Sequence, residues 1–187
     1  MINLNVNSKL EPFITRHKPL KIIIGGRGSG KSIAACDVMT HYYMGAHSES
    51  ILCIREHANS VKESIHREMI ESINERTPVA GWTIQKDTLI APNGARTVYK
   101  GANRDPNALK SMTGFEKMLF DEAQTASQDS IDKIVPTVIR ADGRECWFVG
   151  NPEASGDAFS QRFIVPFQKQ LDRDGFYEDE LHMIAAY

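Results

Sequence analysis

Short apolar runs alternate with longer amphipathic stretches along the chain. Runs of this length are typical of buried strands, and the longer stretches repeat apolar residues at helical spacing. The pattern predicts strands at Leu20–Ile24, Ser50–Arg55, Lys117–Phe120, Cys146–Val149 and Leu181–Ala186. It predicts helices at Lys31–Tyr43, Ser60–Arg76, Ser127–Ile139 and Ala158–Gln168, with Pro136 expected to bend or end the third of them. The predicted fold class is α/β, with a mostly parallel central sheet flanked by helices.

The region 82–100 departs from this alternation. Segments rich in β-forming residues at Trp82–Ile84 and Thr97–Tyr99 are separated by a Pro-Asn-Gly turn signal at 92–94. We therefore expect a β-hairpin excursion over 82–100, with one strand of the region available to the central sheet.

Composition excludes several classes of protein. The 187 residues are 41% hydrophobic, enough for one packed domain over 1–187, and the three scattered cysteines suit buried, reduced thiols better than disulfides or zinc. The first ten residues lack the apolar segment of a signal peptide, and no run approaches the roughly 20 apolar residues of a membrane helix. The net charge of −2 gives no general attraction to nucleic acid, so DNA contact requires a local patch or a ring of subunits.

A glycine-rich segment follows the first predicted strand and fits the phosphate-loop pattern G-x-x-x-x-G-K-[ST]. Glycines allow the backbone to wrap around phosphate oxygens, and the next helix directs its positive N-terminal end at them. Lys31 is expected to bridge the β- and γ-phosphates of ATP, and the Ser32 hydroxyl to bind Mg²⁺. The predicted nucleotide-binding residues are Gly25, Gly26, Arg27, Gly28, Ser29, Gly30, Lys31, Ser32 and Asn151.

Two adjacent carboxylates, Asp121 and Glu122, end the predicted strand at 117–120. An aspartate at this place in P-loop hydrolases holds Mg²⁺, and a neighbouring carboxylate can orient or deprotonate the attacking water. The pair predicts hydrolysis, although by itself it also fits a solvated strand end. Two candidate core strands between the phosphate loop and this pair favour an ATPase with a catalytic glutamate over a small GTPase, and no Asn-Lys-x-Asp guanine motif occurs.

Asn151 follows another apolar strand within Gly-Asn-Pro at 150–152. Ligands of open α/β sheets bind at the carboxyl ends of the strands, so its amide is expected to face the γ-phosphate. A simple strand-ending turn is the alternative, because Asn-Pro is a turn signal.

These motifs, in this order, resemble the large terminase subunit of tailed phages and prophages. The resembling segments are 11–13, 25–32, 51–56, 59–60, 64, 110–111, 114, 118–123, 148–152, 161–163 and 182–187. The resemblance implies that Lys31 and Ser32 bind phosphate and Mg²⁺, that Asp121 is the Mg²⁺ carboxylate, and that Glu122 is the catalytic base. It also implies that Asn151 couples hydrolysis to motion. The candidate catalytic residues are Glu122, Arg27 and Lys31, with Arg27 placed against the γ-phosphate.

The resemblance further implies ATP hydrolysis that drives double-stranded DNA through a portal into a procapsid, in the cytoplasm of an infected or lysogenic host. The expected partners are the DNA, the portal protein, the small terminase subunit and copies of the chain in a ring, with no membrane. We expect the chain to be part of a longer protein whose nuclease domain and nuclease activity are absent here. In isolation it is expected to be monomeric.

Alternatives remain open from the sequence. A helicase-like ATPase and a non-catalytic nucleotide-binding module share the phosphate loop. The resemblance suggests adenine contacts by Phe13, Arg16 and His17. The candidates for an arginine donated to a neighbouring subunit are Arg104, Arg140 and Arg144. A role for Arg55 near the site is also suggested by the resemblance.

Overall fold

The computed structural model describes residues 8–57, 62–76, 78, 80–103, 114–152 and 155–187. The strands are β1 (Leu20–Ile24), β2 (Ile51–Arg55), β3 (Thr83–Gln85), β4 (Thr88–Ile90), β5 (Thr97–Gly101), β6 (Lys117–Asp121), β7 (Glu145–Gly150), β8 (Phe176–Glu178) and β9 (His182–Ala186). The α-helices are α1 (Glu11–Thr15), α2 (Lys31–Asp37), α3 (Arg67–Glu71), α4 (Gln128–Ile139), α5 (Ala158–Phe163) and α6 (Gln168–Asp174).

Wider, π-helical turns lengthen two of these helices. The helix after the glycine-rich loop continues from α2 through Val38–Ala46, beyond the predicted end at Tyr43. Similar turns at Lys62–His66 and Ser72–Arg76 flank α3. The predicted helix start at Ser60 lies outside the described residues.

Seven of the described strands form one sheet in the order β5-β2-β6-β7-β1-β9-β8, with β3 and β4 apart as a hairpin. Every pair in the large sheet is parallel except β8 with β9, which confirms the predicted α/β class. The strand that separates β1 from β6 in the sheet is β7, which comes later in the chain. The two candidate strands counted between the motifs, β2 and β5, lie on the far side of β6 instead.

Both faces of the sheet are covered, as the continuous apolar strands require. β1, β2, β6 and β7 are buried over their whole length. One face carries α2 and α3 on a core that includes Phe13, Met39 and Trp147. The other carries α4 and α5 on a core that includes Phe148 and Phe163. The carboxyl ends of the parallel strands therefore meet at one edge.

The hairpin expected within 82–100 is present, and one strand of this region joins the central sheet as predicted. The hairpin pairs Thr83–Gln85 with Thr88–Ile90, and Ile90 also forms an antiparallel bridge with Arg96 across the turn at 92–94. The turn at 92–94 then reverses the chain, and Thr97–Gly101 joins the large sheet as its edge strand, parallel to Ile51–Arg55. Pairing with β2 is favourable here because it lets Val98 and Tyr99 pack against the two cores of the sheet.

Three further details differ from what the sequence predicted. α4 continues past Pro136 to Ile139, because a proline this near the helix end removes only one of its last hydrogen bonds. The predicted helix Ala158–Gln168 instead ends at Phe163 and restarts as α6 after a turn that contains Pro166. The strand β8 was not predicted, since three half-buried residues carry little periodic signal.

The three cysteines are buried and unpaired, as expected. Within the described part of the chain, no helix is long and apolar enough to cross a membrane.

Candidate functional site

The glycine-rich loop connects β1 to α2 at the carboxyl edge of the sheet. Gly28 and Gly30 have φ values of 74° and 84°, which side chains with a Cβ rarely adopt. Gly30 is the N-cap of α2, and its carbonyl accepts the first helical bond from the Ala34 N–H at 2.9 Å. A Cβ at Gly25 would lie 2.5 Å from the carbonyl oxygen of Tyr187, which follows β9, so this close approach also requires glycine.

Lys31 begins α2 and is 9% exposed. Its Nζ donates a hydrogen bond to the Gly26 carbonyl oxygen at 2.9 Å, which folds the side chain back over the loop. Burial lowers the pKa of Lys31, and the nearby Asp121 carboxylate opposes that shift. The ammonium group therefore lies against the loop and lines the cavity beside it.

Asp121 is the buried last residue of β6. Its Oδ1 accepts a hydrogen bond from the Ser32 hydroxyl at 3.1 Å. The two residues predicted to bind Mg²⁺ come from distant parts of the sequence and are in contact. Carboxylate and hydroxyl oxygens are hard ligands of the kind that Mg²⁺ prefers, so the residues present fit this ion.

Glu122 directly follows the strand and has a left-handed backbone, with φ 52° and ψ 44°. A non-glycine residue in this conformation is uncommon and stores strain of about 1–3 kcal/mol. Successive side chains of a strand point to opposite sides, and the left-handed residue breaks that alternation. Consequently Asp121 and Glu122 line the same cavity, with the Glu122 side chain 47% exposed.

Arg55 reaches the same acidic pair from the end of β2. Its Nε donates to Asp121 Oδ2 at 3.1 Å, and its Nη2 donates to the same oxygen. Its Nη1 is 3.3 Å from Glu122 Oε1. Arg55 is 6% exposed and does not line the cavity, so this cation is buried beside the acidic pair.

A polar cavity of about 290 Å³ lies between the loop and the strand ends. Its lining residues are Arg27, Gly28, Lys31, Ser32, Asp121, Glu122, Gln124, Val149, Gly150 and Asn151. The other predicted loop residues, Gly25, Gly26, Ser29 and Gly30, do not line it and instead shape the loop. The structure thus brings together all predicted catalytic and metal-binding residues, while their roles stay predictions.

Gln124 is a cavity residue that the sequence reasoning missed. Its Oε1 accepts a hydrogen bond from the Asn151 N–H at 3.0 Å and so links the turn after β6 to the end of β7. Beside it, a Cβ at Gly150 would lie 3.0 Å from the Phe159 ring. Its position two residues after Glu122 is the feature of the sequence that could have indicated that Gln124 lies at the site.

Several other candidates lie away from the cavity. Phe13 is fully buried against Trp147 and does not line this cavity. Arg16 pairs with Glu178 at 2.6 Å and lines a second cavity of about 230 Å³, and His17 Nε2 is 3.9 Å from Glu145 Oε1.

Two of the three candidate arginines for a neighbouring subunit are not at this edge either. Arg140 and Arg144 lie just before β7, at the amino ends of the parallel strands and opposite the cavity. Arg104 lies outside the described residues.

The sequence matches the family model for the phage terminase large subunit over residues 17–185. The chain belongs to the phage terminase large subunit family. This confirms the resemblance drawn from the motifs. A comparison with curated protein sequences gives no significant match.

Two solved structures of the large terminase from a thermophilic bacteriophage have the same fold. The first has 16% identity and a TM-score of 0.67, covering 95% of the present chain and 45% of the thermophilic phage chain. The second, in complex with ADP, has 16% identity and a TM-score of 0.63, covering 96% and 45%. The present chain therefore spans less than half of that phage protein.

The N-terminal domain of the DNA packaging ATPase from bacteriophage phi29 is also similar. It has 14% identity and a TM-score of 0.64, and the match covers 90% of this chain and 89% of that one. At these identities the likeness concerns the fold, which is that of a P-loop ATPase domain.

Proposed function

We propose that this terminase chain hydrolyses ATP and that the hydrolysis powers translocation of double-stranded viral DNA into a procapsid. The observation that carries the proposal is the single cavity where Lys31, Asp121 and Glu122 converge on a glycine-rich loop. A loop alone would bind nucleotide, whereas the exposed carboxylate of Glu122 beside it supplies a base for hydrolysis.

Different residues of the cavity are proposed to bind the phosphates, stabilise charge and accept a proton. Backbone N–H groups of the loop and the Lys31 ammonium bind the phosphates, and the Arg27 guanidinium stabilises negative charge on the γ-phosphoryl group. Glu122 orients a water molecule and accepts its proton as the water oxygen bonds to phosphorus and the bond to ADP breaks. Gln124 holds the Asn151 backbone N–H, and the Asn151 side-chain amide is proposed to sense the γ-phosphate.

Mg²⁺ is the implied cofactor. Ser32 and Asp121 would hold it through the oxygens that now share a hydrogen bond. When bound, the ion neutralises charge on the β- and γ-phosphate oxygens.

The partners follow from the family and from charge. A chain of net charge −2 has little electrostatic attraction to a duplex, so we propose that several copies grip DNA in a ring on the portal. The small subunit and a nuclease domain complete the proposed packaging machine in the host cytoplasm. Monomeric behaviour in isolation and the absence of nuclease activity from these residues stay predictions.

ATP binding and turnover test the proposal. Lys31→Ala removes a charged donor to phosphate and should weaken ATP binding by about 10- to 100-fold. Lys169→Ala, at an exposed position of α6, is the matched control and should bind as the wild type does. Equal binding by both variants would contradict the assigned site, and turnover that neither DNA nor portal stimulates would contradict the motor role.

A further inference from the structure

Arg55 holds one oxygen of the Asp121 carboxylate from the side opposite Ser32. Two of its nitrogens donate to Oδ2, while Oδ1 accepts from the Ser32 hydroxyl at 3.1 Å. Arg55 and Asp121 are 6% and 5% exposed. Both oxygens of this carboxylate are therefore engaged by named protein donors, and its orientation is fixed.

The sheet places Arg55 at this point. β2 and β6 are parallel neighbours with Ile54 opposite Phe120. The residues that follow, Arg55 and Asp121, therefore lie side by side at the carboxyl edge of the sheet. The Arg55 carbonyl oxygen also accepts a hydrogen bond from the Ala102 N–H at 2.8 Å, which ties the strand end to the segment after β5. The guanidinium therefore projects from a rigid backbone.

A carboxylate that binds a metal ion benefits from a partner that fixes its rotamer. Such partners commonly change metal affinity by about 10- to 100-fold when they are removed. The planar arginine fork suits this task, because a lysine at the same place offers a single point charge without two fixed donors.

We propose that Arg55 is a positioning residue for Mg²⁺, which it serves by holding Asp121 so that Oδ1 faces the Ser32 hydroxyl. The inference rests on the proposed Mg²⁺-ATP function of the cavity and extends it to a residue that would not itself touch the ion. The exposed Glu122 is the weaker of the two acidic partners of Arg55, since solvent screens that contact.

Arg76 provides a matched control. Its Nε and Nη2 contact Asp37 Oδ1 at 2.9 and 2.8 Å, and its Nη1 is 2.9 Å from Glu68 Oε1. Asp37 belongs to α2, the helix that carries Ser32, yet neither Arg76 nor Asp37 lines the cavity. Substitution of Arg76 therefore removes a similar pair of arginine–carboxylate contacts but leaves Ser32 and Asp121 unchanged.

The test is the affinity of the protein for a fluorescent ADP analogue, measured in EDTA and in saturating Mg²⁺. The wild type should bind more tightly with Mg²⁺. Arg55→Gln should lose about 10- to 100-fold of that Mg²⁺-dependent gain while its affinity in EDTA is unchanged. Arg55→Lys should lose less, and Arg76→Gln should keep the wild-type gain.

A second comparison separates positioning from general support of the fold. If Arg55 acts through Asp121, Arg55→Gln should change the Mg²⁺-dependent gain no further in an Asp121→Asn background. Should Arg55→Gln fail to fold, Arg55→Lys decides, because a wild-type gain in that variant overturns the inference.

The remaining outcomes are also decisive. A wild-type gain in Arg55→Gln, an equal loss in EDTA, or the same loss in Arg76→Gln overturns the role of Arg55. Absence of any Mg²⁺ effect in the wild type contradicts the proposed function itself.

Discussion

Each end of the parallel sheet buries a basic side chain against a carboxylate, but only the pair at the carboxyl end lies beside a polar cavity. At the carboxyl end, Arg55 contacts Asp121 beside an open polar cavity. At the amino end, Lys21 Nζ donates to Glu145 Oε1 at 2.8 Å and to the Phe13 carbonyl oxygen at 2.6 Å. The Lys21–Glu145 pair is enclosed by protein, whereas the Arg55–Asp121 pair lies beside a cavity.

The difference shows that a buried charge does not by itself mark a functional site. The second oxygen of Glu145 accepts from the Tyr43 hydroxyl at 2.7 Å, and Lys21 is fully buried. Burial lowers the pKa of Lys21, and Glu145 opposes the shift. The carboxyl end differs in its left-handed residue at Glu122, its two left-handed glycines and its solvent-facing carboxylate. Backbone strain beside a cavity is the better indicator of function.

Lys21→Met should give the largest effect and should act on stability alone. Removal of one partner from a buried ion pair destabilises a protein by about 3–5 kcal/mol, because the other charge is left without compensation. Urea denaturation measures this loss. Nucleotide affinity of the folded fraction should be unchanged, and a specific loss of affinity would contradict the division between the two ends. Arg67→Gln, which removes an exposed pair with Glu71, should leave stability nearly unaltered.

Glu122→Gln should act on catalysis alone. Loss of a positioned base should reduce ATP turnover by about 10²-fold or more, whereas ATP affinity should survive. Turnover and equilibrium binding measured on the same preparation separate the two quantities. Unchanged turnover would remove Glu122 from the mechanism and would favour a nucleotide-binding module without catalysis.

The pH dependence of the free energy of unfolding tests whether water is excluded from the Cys146 thiol at the amino end of the sheet. Burial raises the pKa of the Cys146 thiol above its ordinary value of 9.0, so the thiol ionises in the unfolded chain before it ionises in the fold. Its contribution is fully present below pH 9.0 and is lost as the pH rises above that value. Between pH 8 and pH 10 the wild type should lose about 1.4 kcal/mol more than Cys146→Ala, measured by urea denaturation. Equal losses would mean that water reaches the thiol.

Gln124→Met should have the smallest effect, at the carboxyl end. The substitution keeps the shape of the side chain but leaves the Asn151 N–H without its acceptor, which should destabilise the protein by about 1 kcal/mol. Thermal denaturation compares it with Gln128→Met, whose exposed contact to Asp132 contributes little. If the two variants are equally stable, Gln124 does not hold the end of β7.

The sequence predicted what local patterns encode. The glycine-rich loop, the buried strands and the acidic pair each carry a short signal, and the predicted catalytic and metal-binding residues line one cavity. The position of β7 between β1 and β6, and the return of Thr97–Gly101 to the sheet edge, depend on pairing between distant strands. The resemblance suggested a role for Arg55 near the site, but its contact with Asp121 was not predicted, because that contact depends on the register of two neighbouring strands.

A structure of the protein with Mg²⁺ and a non-hydrolysable ATP analogue tests the central claim most directly. We expect the triphosphate to lie against the loop at 25–30, with Lys31 on the phosphates, the ion beside Ser32 and Asp121, and a water molecule within hydrogen-bond distance of Glu122. An analogue bound elsewhere, or an Asp121 carboxylate turned away from the ion, would contradict the account.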